Sequence, residues 1–153
     1  MNAIDIPAPD LRIAFPRSPR ALLGGYVVAA RALDKCRAEL AGINGDYSFW
    51  PCSLSQRLFE FTGISPGQFR ALAATGASDA EVAAWLQGTS QVRDRQAVIA
   101  WNHRLRDLRL SELPPETQTY LEDEVLPTLP PDRPAYVWFD VFDLAEGRFA
   151  SGG

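Results

Sequence analysis

Ser18-Pro19-Arg20-Ala21-Leu22-Leu23-Gly24-Gly25-Tyr26-Val27-Val28-Ala29-Ala30-Arg31-Ala32-Leu33-Asp34-Lys35-Cys36-Arg37-Ala38-Glu39-Leu40-Ala41-Gly42 is the stretch on which the fold turns. Ser18 can accept a hydrogen bond from a first helical turn, and Pro19 follows where a missing N–H costs nothing. From Leu22 the positions Tyr26, Ala29, Leu33, Cys36 and Leu40 recur every three to four residues, laying one apolar stripe along a helix that Gly42 ends. A helix from Pro19 to Ala41 would span about 34 Å. Leu23, Val27 and Val28 lie off the stripe, so its first half is apolar nearly all round and is expected to be enclosed as the central helix. Gly24-Gly25 inside a helix costs about 1 kcal/mol per glycine relative to alanine, which points to a close approach by another backbone or a ligand, or else to a kink.

Outward from this stretch the pattern stays helical. Asn44-Gly45 is a turn signal, and Tyr47-Ser48-Phe49-Trp50 runs to Pro51 as a short strand or ordered loop. Ser55 is expected to cap a helix through Phe61 that Gly63 ends. Ser65-Pro66-Gly67-Gln68 and Ser78-Asp79-Ala80-Glu81 are capping boxes, stopped by Gly76 and Gly88, and Val82 and Trp85 face inward. Ala97, Val98, Trp101 and Leu105 mark another amphipathic helix, and Pro114-Pro115 opens one carrying Tyr120, Leu121, Val125 and Leu126. Tyr26, Trp50, Trp85 and Trp101 are expected as core aromatics. Residues 1–16 are expected to form an extended arm, 127–136 a Pro-rich connector and 150–153 a flexible tail. The stretch 135–149 is too short to fold alone and must dock on helices, while Val137-Trp138-Phe139-Asp140-Val141-Phe142 suits a strand or a helical turn. The expected fold is all-α or mainly α: one irregular domain of six or seven helices around a long central helix, with one short extended segment near Tyr47.

Composition narrows the function classes. A chain of 153 residues, 46% hydrophobic, can bury roughly two-thirds of its unfolded surface without a staple. Its net charge of -4 opposes a nucleic-acid partner. Met1 to Arg12 lacks the basic and apolar regions of an export signal, and no apolar run approaches the roughly 20 residues of a membrane span. Cys36 and Cys52 are too far apart for a Cys-x-x-Cys pair, so a reduced, cytoplasmic setting is expected. With a single histidine, His103, and no Gly-rich phosphate loop, no metal and no cofactor are expected.

Several spaced positions carry a resemblance. Arg17-Ser18-Pro19-Arg20, Leu23-Gly24-Gly25-Tyr26, Arg31, Asp34-Lys35, Arg37, Gly42, Gly45 and Tyr47 look like the bacterial family called domain of unknown function 5069. The likeness continues through Phe61-Thr62-Gly63-Ile64, Gly76-Ala77-Ser78-Asp79, Trp85 and Trp101-Asn102 to Trp138-Phe139-Asp140 and Glu146-Gly147-Arg148. It names a family and no activity. The chain departs from the pattern at Pro51-Cys52-Ser53-Leu54-Ser55, where the family has cysteine before proline and an aspartate near the position of Ser55.

The residues that could carry chemistry centre on the second half of the long helix. Arg31 and Lys35, four apart, share a face opposite Leu33, with Asp34 at its flank, Arg37 beyond, Arg20 near the helix start and Tyr47 returning after the turn. On a solvated face such charges signify little. Enclosed, each unpaired ion costs several kcal/mol, so partner carboxylates or a bound anion would be required. Lys35 is the one lysine among 15 basic residues, and lysine, unlike arginine, can lose its proton for nucleophilic work. Asp140, Asp143 and Glu146, with Arg148, are expected to form a structural ion network that neutralises the basic helix. The leading expectation is a pocket for a small carboxylate or phosphate lined by Arg20, Arg31, Asp34, Lys35, Arg37 and Tyr47. The alternatives are an enzyme using Lys35 or Asp34 in proton transfer or covalent chemistry, and a protein-interaction module whose ions are purely structural. Whether the chain is an enzyme, and whether it meets a protein partner or its own copies, stays open; no nucleic-acid or membrane partner is expected.

Overall fold

The computed structural model describes residues 5–148. Over these the chain is mainly α-helical, and it forms two compact units, Met1–Ile99 and Ala100–Gly153. The expected tail at 150–153 lies outside the described residues. Among the described residues there is no β-strand, only isolated bridges, and no helix is long and apolar enough to cross a membrane.

In the first unit the decisive stretch divides in two. Helix α1 runs Ala29–Leu40, beginning ten residues later than the Ser18-Pro19 signal predicts. Ser18 caps a turn instead: its hydroxyl accepts from the Arg20 amide at 3.1 Å, and its carbonyl accepts from Ala21. Gly24 and Gly25, at φ 62° and 89°, then form a two-residue turn closed by reciprocal hydrogen bonds between Leu23 and Tyr26, a geometry that needs two positive φ values and therefore glycine. Gly24 also meets the close approach expected of it, since an added Cβ would lie 3.0 Å from the Ala83 carbonyl oxygen. Val28 enters the helix at φ 73°, a conformation costing a β-branched residue on the order of 1–3 kcal/mol. It is held by burial and by donating its amide to Pro19 at 2.8 Å. Every residue from Ala29 to Ala38 is buried, so α1 is enclosed as expected, and Gly42 at φ 75° follows its C-terminal cap.

The segment after α1 is an ordered loop with a cis Trp50–Pro51 bond. Helix α2 spans Ser53–Thr62, so Cys52, not Ser55, holds the N-cap position, and Ser55 is buried one turn inside. Both capping boxes form: Ser65 and Gln68 open α3 (Pro66–Ala74), Ser78 and Glu81 open α4 (Asp79–Thr89), each contributing about 1 kcal/mol. Gly88 lies within α4 rather than ending it. α1 packs on α2 and α3 over a knot of rings, with Phe49 stacked on Phe69 at 5.6 Å and Phe59 edge-on to Phe69 at 5.4 Å. Tyr26 and Trp101 are buried as expected, while Trp85 is half-buried and Trp50 exposed.

Helix α5 (Arg95–Arg106) ends in the second unit. There α6 (Pro115–Tyr120) continues into a π-helical turn at Leu121–Val125. The undecided run 137–142 is helical, within α7 (Trp138–Ala145). The carboxylate of Asp140 reaches back to the amides of Tyr136 and Val137 at 3.0 and 3.1 Å, satisfying donors that a helix start leaves open. Leu108 accepts from the Trp138 amide at 2.7 Å, which ties α7 to the chain following α5.

Candidate functional site

Helix α1 carries four ionisable side chains that water scarcely reaches: Arg31 is 3%, Asp34 7%, Lys35 6% and Arg37 5% exposed. The basic helix is therefore not a solvated face. Arg37 projects about 160° away from Lys35 around the helix, and the charges accordingly sort into separate sets of partners.

Asp34 and Arg37 belong to one chain of ion pairs. Asp34 accepts from the Arg17 amide at 2.8 Å and from its guanidinium at 3.0 and 3.1 Å. Arg17 reaches on to Asp79 at 2.8 Å, and Arg37 donates to Asp79 at 2.8 Å and to the Ala77 carbonyl at 2.8 Å. The Nε of Arg37 is buried without an acceptor. Burial alone would raise the Asp79 carboxyl, but hydrogen bonds from Arg17 and Arg37 outweigh it and hold the group below its ordinary range. Asp79 is the first residue of α4, where the helix dipole also favours a negative charge. These links join segments far apart in sequence, as buried charges require.

Arg31 donates to the Arg17 carbonyl at 3.2 Å and lies over the Tyr47 ring, 5.7 Å from its centre, a cation–π arrangement. Arg20 is half-buried beyond the Ser18 turn.

Lys35 has a different partner. Its ammonium donates to the sulfur of Cys52 at 3.1 Å, its one hydrogen bond among the described residues. Cys52 is half-buried at the N-cap of α2. Burial is the largest influence on its thiol and pushes it up. The charge of Lys35, the backbone and hydroxyl of Ser55, and the Lys35 hydrogen bond together outweigh burial, so the thiol lies below its ordinary value. Cys36, one residue along α1 from Lys35, is fully buried, and its thiol is pushed up to about 12.

In the second unit Asp143 and Glu146, each 8% exposed, both pair with Arg148, the former at 3.4 Å. Asp140 serves as the cap described above. A shallow hollow of about 260 Å³ beside the π-helical turn is lined by residues including Arg109, Gln118, Glu122 and Tyr136. Among the described residues no group of His, Cys, Asp and Glu is arranged to hold a metal ion.

Sequence reasoning places Arg31, Asp34, Lys35 and Arg37 on one helix, its face either solvated or enclosed, and gives Arg17, Asp79, Cys52 and Ser55 no part in the site. Asp79 shows there in a capping box and in the family resemblance, and Cys52 as a cysteine lacking a nearby partner in the stretch that departs from the family pattern. Their contacts with Arg37 and Lys35 span 42 and 17 residues, distances over which periodicity carries no signal.

The family described as Domain of unknown function (DUF5069) matches residues 13–148. The chain belongs to that family. No curated protein matches it.

Proposed function

We propose that this member of a family of unknown function binds a small anionic molecule, a carboxylate or a phosphate, at Lys35. One observation carries the proposal. A buried ammonium has three N–H donors, and that of Lys35 has a single acceptor among the described residues, a sulfur. Donors left open in such a place cost free energy until an acceptor meets them, whatever the charge on Cys52. Arg31, four residues earlier on the same face, adds positive field, and half-buried Cys52 marks a side from which solvent reaches the pair. Asp34 and Arg37, also expected in the pocket, have a different role in this reading: with Arg17 and Asp79 they are the scaffold that fixes α1. A cytoplasmic setting belongs to the same proposal, in keeping with two free cysteines.

Thermal shift with inorganic phosphate and a panel of small carboxylates and phosphate esters tests it on the wild type and on Lys35→Met. A ligand at about 100 times its Kd should stabilise the wild type by about 2.7 kcal/mol, or roughly 5–11 °C for a chain of this size, and leave the variant unmoved. Compounds that stabilise both proteins equally, or none that stabilises either, would discard the site.

The sulfur contact also favours the covalent alternative. Lys35 stands beside a thiol rather than a carboxylate, and Cys52 becomes the nucleophile in place of Lys35 or Asp34.

A further inference from the structure

We propose that Cys52 and Lys35 form a peroxide-reactive pair, in which the Cys52 thiolate reduces a small hydroperoxide and the Lys35 amine then closes on the oxidised sulfur as a reversible cross-link. This goes beyond anion binding and does not depend on it.

The geometry supplies each part. Lys35 is 6% exposed and its ammonium meets the Cys52 sulfur at 3.1 Å. A neutral thiol would leave that buried charge uncompensated, whereas a thiolate compensates it. The sulfur stands at the N-cap of the ten-residue helix α2, an end that favours negative charge. Its depressed thiol value agrees with this placement. Cys52 is half-buried, open enough for a small oxidant. Cys36 is wholly buried and its thiol stays protonated near neutrality, with a value of about 12, so it is a poor second thiol for resolving an oxidised Cys52. The nucleophile already beside the sulfur is the nitrogen of Lys35.

The chemistry balances in two steps. The thiolate attacks the terminal oxygen of the hydroperoxide. An S–O bond forms, the O–O bond breaks, and the departing alkoxide or hydroxide takes a proton from the Lys35 ammonium and leaves as alcohol or water. Sulfur is oxidised, peroxide is reduced, and the products are a sulfenic acid and a neutral amine side by side. The amine lone pair then attacks sulfur. An N–S bond forms, the S–O bond breaks, and hydroxide leaves with one amine proton as water, giving a sulfenamide. An added thiol attacks the sulfur, breaking the N–S bond to release the amine and form a mixed disulfide, and a second thiol then frees Cys52 and leaves as the disulfide of the two added thiols.

Intact mass spectrometry of the full chain after one equivalent of hydrogen peroxide provides the test. The wild type should lose two hydrogens, with the change mapped to a peptide joining Lys35 and Cys52 and reversed by dithiothreitol. A disulfide gives the same mass, so Cys36→Ala must still show the loss; its disappearance in that variant overturns the proposal. Lys35→Arg keeps the charge without an amine that can close, and should instead gain one oxygen at Cys52, trapped by dimedone. Lys35→Met should oxidise more slowly than the wild type, because losing the buried cation raises the thiol and lowers its thiolate fraction. A wild type that only takes up oxygen at Cys52, or whose Cys52 reacts no faster folded than in denaturant, would also overturn it.

Discussion

The two cysteines have the same chemistry and opposite surroundings. Cys36 lies fully buried within α1, and burial pushes its thiol up to about 12. Cys52 is half-buried, and there Lys35 and Ser55 reverse the sign, so that its thiol falls below the ordinary 9.0. Desolvation penalises an anion until a buried cation is present, and then low dielectric strengthens the attraction. The Lys35 ammonium, 3.1 Å from the Cys52 sulfur, together with Ser55 therefore sets the two thiols apart.

The largest expected effect is the contrast itself. Burial holds the Cys36 thiol up at about 12, while that of Cys52 is drawn below its ordinary value, so the thiolate that reacts is concentrated at Cys52. Iodoacetamide should alkylate Cys52 many times faster than Cys36 in the native protein, and near-equal rates should appear in denaturant. Near-equal native rates would erase the comparison.

Lys35→Met should narrow the gap, entirely through a slower Cys52, because the largest influence that lowers its thiol is gone. Ser55→Ala should narrow it less, because the backbone amide of Ser55 remains when its hydroxyl is gone. Peptide-resolved alkylation rates read both, and any change at Cys36 would point to a repacked core instead.

The ion-pair chain through Asp34 should leave the gap untouched while moving stability. Asp34→Ala deprives the Arg17 amide of its acceptor and leaves the guanidinium with Asp79 alone. Because Arg17 is about a third exposed and can be rehydrated, the cost should be about 2 kcal/mol, less than for a fully buried pair, or roughly 4–8 °C in Tm. A melt of the variant alongside its Cys52 alkylation rate separates the structural network from the reactive pair.

The smallest effect concerns acid. Asp79 is depressed below its ordinary 3.8, so the unfolded chain takes up a proton first as pH falls. The stability it contributes is complete above that value and is lost as pH drops through the lower folded value. In Asp79→Asn that component of the acid-induced fall in Tm should be missing, an effect kept small by a side chain that is 48% exposed. An unchanged acid profile would show that Arg17 and Arg37 do not hold the carboxylate.

How much of this was legible in the sequence depends on how local each cause is. Ser65 with Gln68 and Ser78 with Glu81 satisfy donors three residues apart, and both boxes stand as read. Ser18-Pro19 carried the same kind of signal and misled, because Gly24-Gly25 could serve equally as a costly helix interior or as a tight turn with positive φ. The close contact of Gly24 with Ala83 belongs to the turn, and no local propensity reveals a neighbour 59 residues away.

The sequence alone determined a mainly helical chain, a family resemblance, and a helix carrying Arg31, Asp34, Lys35 and Arg37, because apolar periodicity and caps act within a turn or two. Only the tertiary structure decided which partner each charge received. Asp34 and Arg37 were joined to Arg17 and Asp79, and Lys35 to Cys52, by packing α1 against segments distant in the chain. Coulombic and hydrogen-bond energies fall off over a few ångströms of space, and spacing along the chain does not measure that distance.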